Sequence, residues 1–94
     1  ATGDYGASSA TGDYGASVVT GPFSRASAEG DQTIAIAAGY QSRGMIGETG
    51  VLVLLERDEE YRIVNKLIAC AGEQGVEAGK WYELRGGVPV EVQP

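Results

Sequence analysis

A nine-residue frame repeats through the first half of this chain and narrows the folds open to it. Residues 1–8 read ATGDYGAS, and the same eight letters return at residues 10–17. Weaker copies follow: VTGPFSRAS from Val19, AEGDQTIAI from Ala28 and AAGYQSRGM from Ala37. One such unit has too few side chains to bury a core alone. Stacked copies do, because each strand then pairs with its counterparts above and below. The frame predicts a parallel β-solenoid, or β-roll, over residues 1–50, with two units in a coil of roughly 18 residues and about three coils in all. A helix is excluded by the glycine, serine and threonine content and by the lack of a 3.6-residue period.

Within the unit, counted from its alanine, each position has a physical role. Position 3 is glycine at Gly3, Gly12, Gly21, Gly30 and Gly39, which suits either a corner with positive φ or close approach of neighbouring backbones. Position 4 is Asp4, Asp13, Pro22, Asp31 or Tyr40, and Gly-Asp and Gly-Pro are turn dipeptides. Position 6 (Gly6, Gly15, Ser24, Thr33, Ser42) and position 8 (Ser8, Ser17, Ala26, Ala35, Gly44) are small. With the next position 1 they alternate at period two, the signature of one strand face. Each unit thus reads as a corner followed by a short strand with small side chains turned inward.

The opposite strand face changes along the array. It carries Ala7, Ser9, Ala16 and Val18 early, then Arg25, Ser27, Ile34, Ile36, Arg43 and Met45. Ile34, Ile36 and Met45 are expected to be covered, either by the C-terminal segment or at a subunit interface such as a trimer axis. At position 5, Tyr5, Tyr14 and Phe23 form an aromatic column, which reads either as a stacking ladder or as a row for binding carbohydrate. Trp81 and Tyr82 are the other candidates for stacking on a glycan.

Composition shifts after Gly50: 13 of the 20 charged residues lie beyond it, whereas 10 of the 15 glycines lie within residues 1–50. VLVLLER (51–57) reads as a buried strand and RDEE (57–60) as a charged turn. YRIVNKLIACA (61–71) fits a helix face through Ile63, Val64, Leu67 and Ile68. Its β-branched residues after a charged turn fit a returning strand, and a strand is expected. KWYEL (80–84) and VPVEV (88–92) form a second hairpin, with Pro89 calling for an edge or a bulge. Residues 51–94 are therefore expected to be a small antiparallel module that caps the open end of the array, since an uncapped end exposes strand edges. The fold class expected is all-β. The chain opens mid-repeat on Ala1, which reads as a fragment with more repeats upstream.

Charge and residue types exclude several functions. A net charge of −6 and a pI near 4.4 leave no electrostatic footprint for nucleic acid. The longest apolar run, 51–55, is far short of the ~20 residues of a membrane span, and no membrane insertion or signal peptide is expected. Cys70 is the single cysteine, so no intrachain disulfide can form, and its LIACAG setting predicts a small buried hydrophobe. With no histidine, Ser-His-Asp and Cys-His arrangements are impossible, and zinc is not expected. The recurring Asp4, Asp13 and Asp31 lack the alternating glycines of calcium-binding nonapeptide rolls and read as solvated turn residues. No catalytic residue, cofactor or metal is assigned, and the chain is not expected to be an enzyme.

The units ATGDYGAS, VTGPFSRAS and AAGYQSRG resemble the head repeats of trimeric autotransporter adhesins, the YadA-like parallel β-roll. The whole chain is similar to uncharacterised bacterial and phage-associated proteins that place such repeats before a W-Y-x-L-x-x-G-x-x-V-x-V stretch, here Trp81, Tyr82 and Leu84 through Val88, Val90 and Val92. The resemblance implies a structural or interaction protein. It would be a head or stalk piece at a phage or bacterial surface, self-associating, with a homotrimer favoured. The alternative is a small carbohydrate-binding module using the exposed aromatics.

Overall fold

The computed structural model describes residues 5–10 and 12–93. Five four-residue strands lie in the repeat region: β1 (Ala7–Ala10), β2 (Ala16–Val19), β3 (Arg25–Ala28), β4 (Ile34–Ala37) and β5 (Arg43–Ile46). Each falls on the strand positions of the nine-residue frame. Four longer strands follow: β6 (Val51–Arg57), β7 (Ile63–Cys70), β8 (Trp81–Arg85) and β9 (Val88–Val92). The returning segment at 61–71 is strand, as expected, because β7 pairs along its whole length with β6.

The strands build two mixed sheets, ordered β1-β3-β5-β8-β9 and β2-β4-β6-β7. Parallel pairing joins Ala7 to Arg25, Ala16 to Ile34 and Arg25 to Arg43, a step of 18 residues. Consecutive units therefore enter opposite sheets. The pair β4–β6 matches Ile34 with Val51, one residue less. Thr49 bridges the shortened corner, its Oγ1 accepting from Gln32 N at 3.0 Å. The hairpins β6–β7 and β8–β9 then finish the sheets with antiparallel pairs.

Inward positions carry the core. Val19, Ala26, Ala28, Ala35 and Ala37 are fully buried and join Ile46, Leu52, Leu54, Leu67, Val76, Tyr82 and Leu84 in one cluster. The core thus crosses the divide expected at residue 50, and β6 belongs to both regions: it extends the repeat register on one edge and starts a hairpin on the other. Alanine inside the repeats lets the sheets approach closely. At Gly44 even a methyl would sit 2.6 Å from Leu52 Cδ1 across the interior.

The corners depart from expectation. Among the described residues position 3 glycine does not supply the left-handed residue; position 5 does, with φ between 49° and 62° at Tyr5, Tyr14, Phe23, Gln32 and Gln41. A side chain there costs roughly 1–2 kcal/mol of backbone strain. It is offset by a hydrogen bond from the same residue to the neighbouring corner: Tyr5 N to Pro22 O, Tyr14 N to Asp31 O and Phe23 N to Tyr40 O, at 2.9–3.0 Å. Glycine at position 3 serves close approach instead, since a Cβ on Gly39 would lie 2.0 Å from Gly21 O. The small polar residues at position 6 bond to corner backbone: Ser42 Oγ donates to Gly21 O at 3.0 Å and Thr33 Oγ1 to Gly30 O at 2.9 Å.

At the far end one carboxylate ties the two hairpins together. Glu56, on β6, accepts from Gly86 N (3.0 Å) and Gly87 N (3.1 Å) in the β8–β9 turn and from Asn65 Nδ2 (2.7 Å) on β7. The Gly86 amide, against partial desolvation and with help from Asn65 and Gly87, holds this carboxyl below the ordinary glutamate range. The folded value lies below the unfolded one, so the stabilisation is full above the unfolded value of about 4.3 and is lost as pH falls through the folded value. Glu56→Gln is expected to cost about 1 kcal/mol at pH 7, allowing for solvent screening. In thermal melts at pH 7, 5 and 3 the gap from the parent should shrink as pH falls; a gap independent of pH would show that the charge is not what binds the turn.

Candidate functional site

The five-stranded sheet turns a polar and aromatic face outward. Ala7, Arg25 and Arg43 lie side by side across β1, β3 and β5, and Ser9, Ser27 and Met45 form the neighbouring row. The antiparallel register at Gly44↔Tyr82 sets Trp81 next to Met45 and Glu83 next to Arg43. Trp81 is half-buried, and Met45 is buried. Glu83 is already engaged, its Oε2 accepting from Arg85 Nε at 2.6 Å. At the corner beside the arginines, Tyr5 stacks on Phe23, with ring centroids 5.3 Å apart and planes at 15°. Tyr40 meets Phe23 edge-on at 5.8 Å. Tyr5, Phe23, Arg25 and Arg43 line a shallow hollow of about 320 Å³. A second, of about 290 Å³, runs from Ser9, Arg25 and Ser27 to Trp81.

The four-stranded sheet turns an apolar face outward. Its rows, read from the register, are Ala16, Ile34, Val51 and Cys70, then Val18, Ile36, Val53 and Ile68. Leu55, Val64 and Lys66 continue it along β6 and β7. Ile34 is 40% and Ile68 62% exposed; Lys66 lies beside Leu55, and Arg57 follows at the β6 end. No segment among the described residues covers this face.

These two faces redistribute the residues singled out by sequence. Ile34 and Ile36 lie together on the apolar face. Met45 is on the other sheet, buried beside Trp81 of β8. The position-5 column divides in the same way: Tyr5 and Phe23 stack on one corner, while Tyr14 is 80% exposed on the other, one step from Gln32. Tyr82 is buried in the core, and its hydroxyl accepts from Glu77 N at 2.9 Å, so it is not available to a ligand; its neighbour Trp81 faces outward. Cys70 is exposed, contrary to expectation, because β7 is an edge strand whose alternate residues face away from the core. Sequence reasoning did not single out Arg25 and Arg43 as a pair. The 18-residue step that joins them was a signal in hand.

The turn aspartates act as corner braces. Asp13 Oδ1 accepts from Asp31 N at 3.2 Å, and Asp31 Oδ1 accepts from Thr49 Oγ1 at 2.6 Å. Asp4 lies outside the described residues. Among the described residues no three His, Cys, Asp or Glu side chains are grouped to hold a metal ion, and no helix is long and apolar enough to cross a membrane. Beyond the β6–β7 turn, a cleft of about 490 Å³ is lined by Tyr40, Gln41 and the charged turn 56–60. Arg57, Arg62 and Arg85 also line it; Arg57 stacks over the Tyr61 ring at 4.5 Å and donates to Tyr61 O at 2.9 Å.

Comparison of the chain with protein-family models, with curated proteins and with solved structures found no match.

Proposed function

We propose that this chain is a non-enzymatic structural and interaction module: a β-solenoid of two-unit coils, closed at its C-terminal end by two hairpins, that assembles with copies of itself. The solenoid reading is supported by the 18-residue register of the pairs β1–β3, β2–β4 and β3–β5, shortened by one residue only at β4–β6, since a two-unit coil is the simplest path that produces it. A head or stalk piece of a phage- or bacterial-surface protein, the role implied by the resemblance of its repeats, suits such a stack of coils.

The observation that carries self-association is the bare apolar face of β2, β4, β6 and β7. Soluble monomers rarely expose contiguous apolar patches beyond a few hundred Å². Alternate residues of four strands spaced ~4.8 Å apart present enough surface for two copies, face to face, to bury on the order of 1,000 Å². That is near the lower bound for a specific interface. A second copy is the fitting occupant, because the two central rows of the face, Ala16, Ile34, Val51 and Cys70 and then Val18, Ile36, Val53 and Ile68, carry no charge: a partner rich in charge finds nothing there to pair with, while an identical face needs no counter-charge. Pairing the face with itself gives a two-fold dimer, and a trimer adds a second contact surface.

Light scattering on the purified chain at micromolar concentration should return a mass of two or three copies. The Ile34→Glu/Ile68→Glu variant should return the monomer mass with an unchanged β-sheet spectrum. A parent chain that is strictly monomeric at that concentration would rule out the assembly.

A further inference from the structure

The outer face of the five-stranded sheet is a different surface, and its chemistry is that of a ligand site. Arg25 and Arg43 are direct lateral neighbours on parallel strands, ~4.8 Å apart. Like charges placed opposite one another on a sheet are destabilising. This chain has 13 acidic residues, yet among the described residues neither arginine forms an ion pair. Arg43 is also held in place: one Nη donates to Gln93 O, while its Nε is buried without a partner. Two guanidinium groups, neither in an ion pair among the described residues, are thus set beside the Tyr5–Phe23 stack, above a hollow of about 320 Å³. On their other side lie the Ser9 and Ser27 hydroxyls and the Trp81 ring.

We infer that this face binds an acidic saccharide, a sugar ring bearing a carboxylate. A guanidinium fork accepts a carboxylate through two parallel, charge-assisted hydrogen bonds. The aromatic rings flanking it offer flat apolar surface to the C–H face of a pyranose, and the serine hydroxyls can exchange hydrogen bonds with ring hydroxyls. A peptide is disfavoured here. Peptides join sheets at free edges, whereas β3 and β5 are interior strands whose backbone groups are already paired. Nucleic acid is disfavoured because two arginines on a chain of net charge −6 cannot offset the repulsion of a phosphate backbone.

The test is calorimetric titration of the full chain with three probes: an oligogalacturonate, a sialyllactose and a neutral cello-oligosaccharide. Emission from Trp81, the single tryptophan, gives a second readout. Binding of at least one acidic probe is expected, falling as salt is raised because the exposed pair is screened. The oligogalacturonate and sialyllactose arms distinguish a uronate polymer from a terminal sialate. Arg25→Gln should weaken binding about tenfold or more, the loss of one charge-assisted contact. Arg43→Lys, which keeps the charge and loses the fork, should weaken it as well. Arg25 is exposed and makes no core contact, so its variant reads binding even if changes at Arg43 disturb folding. The inference is overturned by no heat with either acidic probe at millimolar concentration, by equal binding of the neutral probe, by an Arg25→Gln variant that binds as the parent does, or by tighter binding of a single-stranded oligonucleotide or an acidic peptide in the same buffer.

Discussion

Gly39→Ala is expected to destabilise this protein by about 3 kcal/mol or more, and so to lower its melting temperature by at least ~12 °C. A Cβ at Gly39 would stand 2.0 Å from Gly21 O and 2.7 Å from Gly21 C, both backbone atoms of the neighbouring corner. It would also crowd Ser42 Oγ at 2.5 Å, the hydroxyl that donates to Gly21 O. No rotamer relieves a clash between two backbones; the corners must separate, and the hydrogen bonds between them lengthen together. Gly39 has an ordinary negative-side backbone and is absent from the left-handed set, so the cost is steric, not conformational. Gly12 occupies the same position of its unit, but a methyl there meets nothing within 4 Å. Gly12→Ala should stay within about 0.5 kcal/mol of the parent. Denaturant titration of the two variants measures the difference. Equal stabilities would mean that corners 18 residues apart are not in contact at position 3.

Removing residues 51–94 is expected to abolish cooperative folding of the repeats. The core residues within 1–50 are Val19, Ile46 and alanines, whereas Leu52, Leu54, Leu67, Val76, Tyr82 and Leu84 all lie beyond. Alanine burial removes little apolar area, and fixing each backbone residue costs about 1–2 kcal/mol of entropy, so the small side chains cannot hold the fragment. Truncation would also strip β6 from β4 and β8 from β5, leaving both parallel edges bare and open to aggregation. The 1–50 fragment should show a disordered circular dichroism spectrum, or precipitate. A soluble, protease-resistant fragment with a sigmoidal melt would show that the repeats are self-sufficient.

Both expectations depend on features of different legibility. The strands were readable because period-two alternation is local: each of Ser17, Ala26 and Ala35 is judged against its immediate neighbours, and all three are buried. The hairpins were readable from the charged turn after Arg57 and from the Gly86–Gly87 turn. The left-handed residue at position 5 was not. Tyr, Phe and Gln carry no propensity for that conformation; Tyr5, Tyr14 and Phe23 adopt it where the next corner offers a carbonyl to their N–H, and Gln32 where Thr49 Oγ1 accepts instead. Cys70 could not be placed either, since its exposure follows from β7 being an edge strand.

The sequence by itself determined the nine-residue period, the inward small residues and the positions of the strands, because these follow from spacing along a single stretch of chain. Tertiary structure decided which units share a sheet. Two units make one step, so neighbours in sequence are sent to opposite sheets, and residues 18 apart become contacts. That step divides Tyr14 from Tyr5 and Phe23, and Met45 from Ile34 and Ile36. It also sets Arg25 against Arg43 on one open face and gathers the aliphatic residues of β2, β4, β6 and β7 on the other. Pairing between strands depends on where hydrogen-bonding edges meet in space, and the closed core that fixes this includes Leu52, Leu54 and Tyr82, none of which belongs to the repeat.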